Sequence, residues 1–220
     1  YSNVSQRNFE KIPGCRIGYW LSPKIYKIFS DYPCAETQIM LREGIHTGCN
    51  EAYLRFWHEV AFPKMFFDAK SPNDIIAPFK WIPYNKGGFA RKWYGNNDLV
   101  VRFDANSRTE MFAERGYRSC GLINCFKEGG TWSSLSSGRF ALRYYPSGFM
   151  FDSKGQAALG EKYLDIITAF NTNVYQNLAD ILMPTLDYKC GDVKKLPYID
   201  APSNAKNISK QNIQISKQDW

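Results

Sequence analysis

A chain of 220 residues with 44% hydrophobic and 16% aromatic residues is long enough for one sizeable core or two small ones, and this composition excludes a disordered chain. The net charge of +7 is unevenly placed: residues 80 to 146 carry 11 Lys/Arg against 5 Asp/Glu, whereas residues 1 to 79 carry 9 against 8 and residues 147 to 220 carry 8 against 8. A basic excess confined to the middle third is what a polyanion-binding surface requires.

No apolar run approaches the ~20 residues that span a bilayer, and no signal peptide opens the chain. A soluble cytoplasmic protein with no membrane partner is therefore expected. Cys15, Cys34, Cys49, Cys120, Cys125 and Cys190 follow neither a zinc-ligand spacing nor a dense disulfide pattern, and His46 and His58 complete no ligand set, so free thiols and no metal are expected.

In chain order, Tyr1 to Lys11 is polar and lacks an initiator Met, as a segment starting inside a longer protein would. Ile12 to Leu21 reads as a turn feeding a short strand. Ser22-Pro23 then starts a helix whose apolar face is Ile25, Ile28 and Phe29, ending near Asp31 to Pro33. Gly44 to Asn50 is a glycine-bracketed loop. The period of two from Ala52 to Val60 favours a strand, although Asn50 can equally cap a helix.

Asp74 to Phe79 reads as a short helical turn, Asp98 to Asp104 as a strand, and Asn106 to Gly116 as an exposed loop or helix. Gly129 to Gly138 reads as a hydroxyl-rich loop. After it, Arg139 to Tyr145 and Phe149 to Asp152 form two strands about a Pro146-Ser-Gly148 turn. Leu159, Tyr163, Ile166, Ile167 and Phe170, then Val174, Leu178, Ile181 and Leu182, recur at helical spacing on either side of Asn171 to Asn173. Pro184 ends the second helix, Leu186 to Tyr188 returns as a strand, and Gly191 to Pro197 is a turn. The polar tail from Asp200 reads as the beginning of a further element. The expected architecture is α+β: a twisted mixed or antiparallel sheet from about residue 12 to 152, with packed helices near 159 to 183.

The most distinctive stretch is Lys80 to Asn97. It holds Lys80, Lys86, Arg91 and Lys92, the rings of Trp81, Tyr84, Phe89, Trp93 and Tyr94, three glycines and no carboxylate. Cations there can neutralise phosphates, rings can cover sugars or bases, and the Asn amides can read base edges. Composition fits equally a twisted surface hairpin with solvated lysines.

The blocks Ile12-Pro-Gly, Tyr19-Trp-Leu-Ser22, Thr47-Gly-Cys-Asn50, Arg55-Phe-Trp57, Pro83-Tyr-Asn-Lys-Gly-Gly88 and Arg91-Lys-Trp-Tyr-Gly-Asn-Asn97 occur in an order that resembles the C-terminal part of certain bacterial DNA adenine methyltransferases. Phe126-Lys-Glu-Gly129, Thr131-Trp-Ser133, Gly148-Phe-Met-Phe-Asp152, Pro184-Thr-Leu186 and Gly191-Asp192 continue it. These are the large enzymes of BREX-type phage defence and of fused restriction-modification systems. The resemblance implies a TaqI-like specificity-domain architecture over residues 1–200, with 201–220 starting a following segment. It implies double-stranded DNA as partner, and an N-terminal methyltransferase domain of the same parent chain that holds S-adenosylmethionine. No Pro-Pro pair exists in the sequence, so the Asn/Asp-Pro-Pro-aromatic catalytic motif of such enzymes is absent. The expectation is a chain that chooses and holds the duplex without methylating it and without a cofactor of its own.

On that reading Lys86, Arg91 and Lys92 are phosphate clamps, while Asn96, Asn97, Arg139 and Arg143 make bidentate base contacts. Ser133, Ser134, Ser136 and Ser137 donate to phosphate oxygens. Trp93 and Trp132 suit core plugs better than DNA contacts, and Thr47 to Asn50 is either a DNA contact or a plain turn. Three alternatives compete with it: half of a type I restriction specificity subunit, an aromatic-rich RNA or carbohydrate module, and a serine hydrolase using His46 or His58. The last lacks a Gly-x-Ser-x-Gly elbow.

Overall fold

The computed structural model describes residues 5–220; Tyr1 to Val4, the start of the polar opening segment, lie outside the described residues. In chain order the helices are α1 (Pro23–Asp31), α2 (Asn50–Tyr53), α3 (Ala105–Ala113), α4 (Tyr163–Phe170), α5 (Asn173–Leu182), α6 (Cys190–Val193) and α7 (Ser203–Asp219). The strands are β1 (Met40–Arg42), β2 (His46–Thr47), β3 (Leu54–Phe56), β4 (Trp81–Asn85), β5 (Leu99–Arg102), β6 (Tyr117–Arg118), β7 (Gly129–Ser133), β8 (Leu142–Tyr145), β9 (Met150–Phe151) and β10 (Gly155–Leu159).

The architecture is α+β, built on two four-stranded sheets where a single sheet was expected. The first runs β1-β10-β7-β8 and is antiparallel throughout; the second runs β3-β5-β4-β9, with β4 and β9 parallel. β2 and β6 form a separate two-stranded ribbon. The strands on either side of the Pro146 to Gly148 turn therefore enter different sheets, β8 pairing with β7 and β9 with β4.

Period-two alternation makes the first sheet two-faced. Trp132, Leu142 and Ala158 join Ile166, Ile167, Phe170 and Leu178 in an apolar core beneath α4 and α5. On the opposite face, Tyr145, Ala157 and Leu159 pack with Ile82, Tyr84, Val101 and Phe151 of the second sheet. Trp132 is fully buried, with its indole N–H donating to the Tyr188 carbonyl at 2.8 Å.

Local signals account for the helices. Pro23 opens α1 after an extended Ser22, whose side chain makes no capping bond. The Asp104 carboxylate accepts from the backbone and hydroxyl of Ser107 at the start of α3, and Thr172 caps α5. Several expectations differ from the outcome. Ile12 to Leu21 contains no strand, and the helical turn expected over Asp74 to Phe79 sits earlier, at Pro72–Asp74. Leu186 to Tyr188 contributes one bridge, Leu135 with Asp187, and Gly191 belongs to the single turn α6. A helix does begin here as α2, but its N-cap is Cys49, without a side-chain capping bond, and Asn50 is the first helical residue; of the alternating stretch only Leu54–Phe56 is strand, followed by a helical turn at Trp57–Glu59. The tail forms α7, which buries Ile213 and ties Lys206 to Asp165 on α4 at 2.8 Å. None of the helices among the described residues is long and apolar enough to cross a membrane.

Candidate nucleic-acid interface

One end of the two sheets gathers the loop between β4 and β5, the loop between β7 and β8, and the β9–β10 turn. Asn85, the last residue of β4, ties them together. Its amide nitrogen donates to the Thr131 hydroxyl and the Gly155 carbonyl, its amide oxygen accepts from Gly87 N–H at 3.2 Å, and its backbone carbonyl accepts from Asp152 N–H at 2.9 Å. Ser134 N–H donates to the Lys154 carbonyl at 2.8 Å. Gly87 has φ +91°, and a Cβ there would lie 2.7 Å from the Lys154 carbonyl oxygen. Only glycine fits this crossing.

The β4–β5 loop is also fastened in its middle. Trp93 N–H donates to the Leu142 carbonyl and the Trp93 carbonyl accepts from Tyr144 N–H, so the loop covers the free edge of β8. Asn171 covers it further, its amide making both bonds with the Leu142 backbone at 2.9 Å. Trp93 achieves its register at φ +73°, a left-handed conformation rare for a bulky side chain, and its ring packs against the apolar core.

The three cations read as clamps do not converge. Lys86 Nζ donates to Asn50 Oδ1 at 2.8 Å and pairs with Asp152 at 3.3 Å. The Arg91 guanidinium lies 4.7 Å over the Trp220 ring. Lys92 Nζ donates to the Asn171 carbonyl at 2.7 Å. Each is thus held to a different neighbour, and no two of them share a partner.

The residues read as base contacts divide sharply. Arg139 is exposed, while Asn96 and Asn97 are half-buried, with Asn96 donating to the Phe89 carbonyl at 2.9 Å. Arg143 is fully buried, because strand alternation turns its side chain between the sheets beside Thr131 and Ser133. It cannot reach a base edge, which corrects that expectation. The serines divide too. Ser137 is exposed, but Ser133, Ser134 and Ser136 are buried, since the stretch read as a loop opens with strand β7. The Ser136 hydroxyl is occupied in accepting from Gly138 N–H.

Sequence reasoning missed two features of this end. The first is a polar cleft of about 320 Å³ lined by His46, Thr47, Asn50, Lys86, Asp152 and Lys154. The Asp152 carboxylate is its hub, accepting from the Tyr84 hydroxyl at 2.9 Å, from Ser153 and from Lys154 N–H besides pairing with Lys86. Burial and this carboxylate push the Tyr84 hydroxyl well above its ordinary pKa, so it stays a donor. The second is a hollow of about 460 Å³ beside Gly88, rimmed by exposed Phe89, Leu135 and Leu186. The Thr47 to Asn50 block, with its amide already paired to Lys86, was the one available signal for the cleft. The apolar rim comes from loops far apart in sequence and had none.

Electrostatically this part of the molecule is undercompensated. Of Lys86, Arg91 and Lys92 on the β4–β5 loop, Lys86 alone pairs with a carboxylate among the described residues.

No family model matches the chain. It is 37% identical, over 99% of its length, to the adenine-specific methyltransferase PglX of Lacticaseibacillus casei (strain Zhang). It is 32% identical, over its whole length, to the adenine-specific methyltransferase BrxX of Escherichia coli O9:H4 (strain HS). The chain spans 19% and 18% of these two relatives, about a fifth of each.

Proposed function

Since this chain is a homologue of one segment of the adenine-specific methyltransferases PglX and BrxX, we propose that it is the part of a BREX-type enzyme that binds double-stranded DNA and selects the target sequence. The observation that carries the reading is the loop end of the two sheets. Its cations, spread along one anchored loop, have almost no carboxylates to neutralise them, and a duplex presents phosphates at regular spacing to such a surface. Exposed Arg139 and the half-buried amides of Asn96 and Asn97 supply donors and acceptors of the kind that distinguish base edges.

Methyl transfer, on this reading, belongs to another domain of the parent protein. Gly87 and Gly88 do follow a strand, but they lead into an irregular loop and not into a helix, so the strand–glycine–helix cradle for S-adenosylmethionine is not formed by them. We assign the cofactor to that other domain of the parent protein.

The test is a titration of the 220-residue chain against random duplex DNA over a salt series, beside a variant with Lys86, Arg91 and Lys92 all changed to Ala. Micromolar binding that weakens steeply with salt, and a variant whose log–log salt slope is shallower by roughly two to three, are expected. Salt-independent binding would favour an aromatic sugar-type surface instead. Absence of binding by the chain at low salt would count against the proposal.

A further inference from the structure

The loop end of the molecule holds apolar side chains in water on a fixed backbone. Phe89 is 84% exposed, Leu135 62% and Leu186 54%, and with Gly88, Ser136 and Ser137 they line the hollow of about 460 Å³. Asn96, at φ +61°, donates its amide to the Phe89 carbonyl at 2.9 Å. Gly88, at φ +106°, leaves room for that amide, which a Cβ would approach to 3.0 Å. Ala90 packs so closely on Gly138 that a Cβ there would lie 2.4 Å from its methyl group, which joins the β4–β5 loop to the β7–β8 loop. The leucines lie on paired segments. Ser136 N–H donates to the Leu186 carbonyl at 3.1 Å, Tyr188 N–H to the Ser134 carbonyl at 2.6 Å, and the Tyr188 hydroxyl to the Gly138 carbonyl at 3.2 Å.

Apolar groups gathered around a hollow from loops far apart in sequence mark a binding surface, unlike the single exposed side chains common to all proteins. The surroundings say what binds. Phe89 follows Lys86 and precedes Arg91 and Lys92 on one loop, and exposed Ser137 precedes exposed Arg139 on the other. The carboxylate next to Leu186, Asp187, is paired with Lys189 at 3.3 Å. Aromatic and aliphatic groups set among cations and a hydroxyl suit a ligand with an apolar face and an anionic backbone, as a nucleotide is. The volume falls within the range of small-ligand sites.

We propose that this hollow receives one unstacked base of the bound duplex, with Phe89 as the ring on which the base rests and Leu135 and Leu186 as apolar walls. The inference rests on the DNA-binding reading above. Stacking on the ring offsets part of the cost of taking a base out of the duplex, a cost that is least for a base without a partner.

The experiment measures binding of the wild-type chain, Phe89→Ala and Phe89→Trp to a perfect duplex and to the same duplex carrying one unpaired base, over a salt series, with thermal melting of each chain alongside. Wild type should prefer the duplex with the unpaired base about tenfold, since that base needs no unpairing before it meets the ring. Phe89→Ala should lose this preference with an unchanged salt slope, because no charge is removed, and with an unchanged melting temperature, because the ring meets solvent. Phe89→Trp keeps the preference. Wild type that binds both duplexes equally, with a steep salt slope, would overturn the base site and leave the DNA reading standing. A Phe89→Ala chain that retains the preference would do the same, and would assign the apolar rim to a protein contact instead. A Phe89→Ala chain that melts several degrees lower would also overturn the site, by showing the ring to be part of the packing. Wild type that binds neither duplex at low salt would remove both readings.

Discussion

The two faces of the sheet β1-β10-β7-β8 solve opposite problems with alternate residues of the same strands. On β7 and β8, Trp132 and Leu142 turn towards α4 and α5 into a core of close-packed apolar groups, while Thr131, Ser133 and Arg143 turn towards the second sheet. The helix face is held by apolar burial, which needs only shape. The other face is held near Asn85 by a hydrogen-bonded layer that fixes where three loops emerge. The contrast teaches that the face towards the helices is apolar throughout, whereas the face towards the second sheet is apolar along Tyr145, Ala157 and Leu159 and turns polar at the loop end, under the candidate interface.

The largest test of that division is Trp132→Ala. Loss of a wholly buried indole, and of its bond to the Tyr188 carbonyl, should cost about 3–5 kcal/mol in denaturant unfolding. A cost below 1 kcal/mol would mean that the helix face is not the foundation. Asn85→Ala comes next, at about 1–3 kcal/mol, because Gly87 N–H and the Gly155 carbonyl lose a partner inside the protein. It should also loosen the β4–β5 loop, read as faster amide exchange at Gly87 and Gly88 with exchange in α4 unchanged.

Tyr84→Phe sharpens the comparison on the cleft side. Removing the hydroxyl that donates to Asp152 should cost about 1 kcal/mol. It should weaken duplex binding only modestly, since Lys86, Ser153 and Lys154 still hold the carboxylate. A large loss of affinity would make the cleft itself the main contact.

The smallest effect concerns the thiols. Burial raises Cys125, between the sheets, to about 12 and Cys190, under the helices, to about 11. Above the ordinary thiol pKa the unfolded chain releases a proton that the folded chain retains at Cys125. Its contribution is therefore full below about pH 9 and is lost as pH rises towards 12. Cys125→Ala should lose stability less steeply than wild type between pH 9 and 11 in an unfolding series. Cys15 and Cys120, exposed and in no disulfide, should react with a thiol reagent first, whereas Cys125 and Cys190 should react only on unfolding.

Helices α1, α4 and α5 were the legible part of the fold. Ser22-Pro23, the spacing from Tyr163 to Phe170, and the same spacing resumed after Asn171 to Asn173 are local signals that act within one or two turns. β7 and β10 were not legible. Gly129-Gly-Thr-Trp-Ser133 reads as a loop because Gly and Ser are poor strand formers in isolation. As an inner strand it uses their smallness: a Cβ at Gly129 would stand 2.3 Å from the Ala158 carbonyl oxygen, and one at Gly130 would press on Ile167. The demand for small residues comes from neighbours some thirty residues distant, which no local pattern reports.

The same limit governs the site. Composition alone located the basic excess in residues 80 to 146, and the order of motifs alone disclosed the likeness to the adenine-specific methyltransferases, since both are properties of a string of residues. Which cations meet solvent was decided by the tertiary structure. Arg139 and Arg143 are four residues apart with the same chemistry, yet one is exposed and the other is sealed between two sheets. That outcome depends on the strand alternation of β8 and on a second sheet built from β3, β4, β5 and β9, packing partners that a side chain acquires only when distant segments meet.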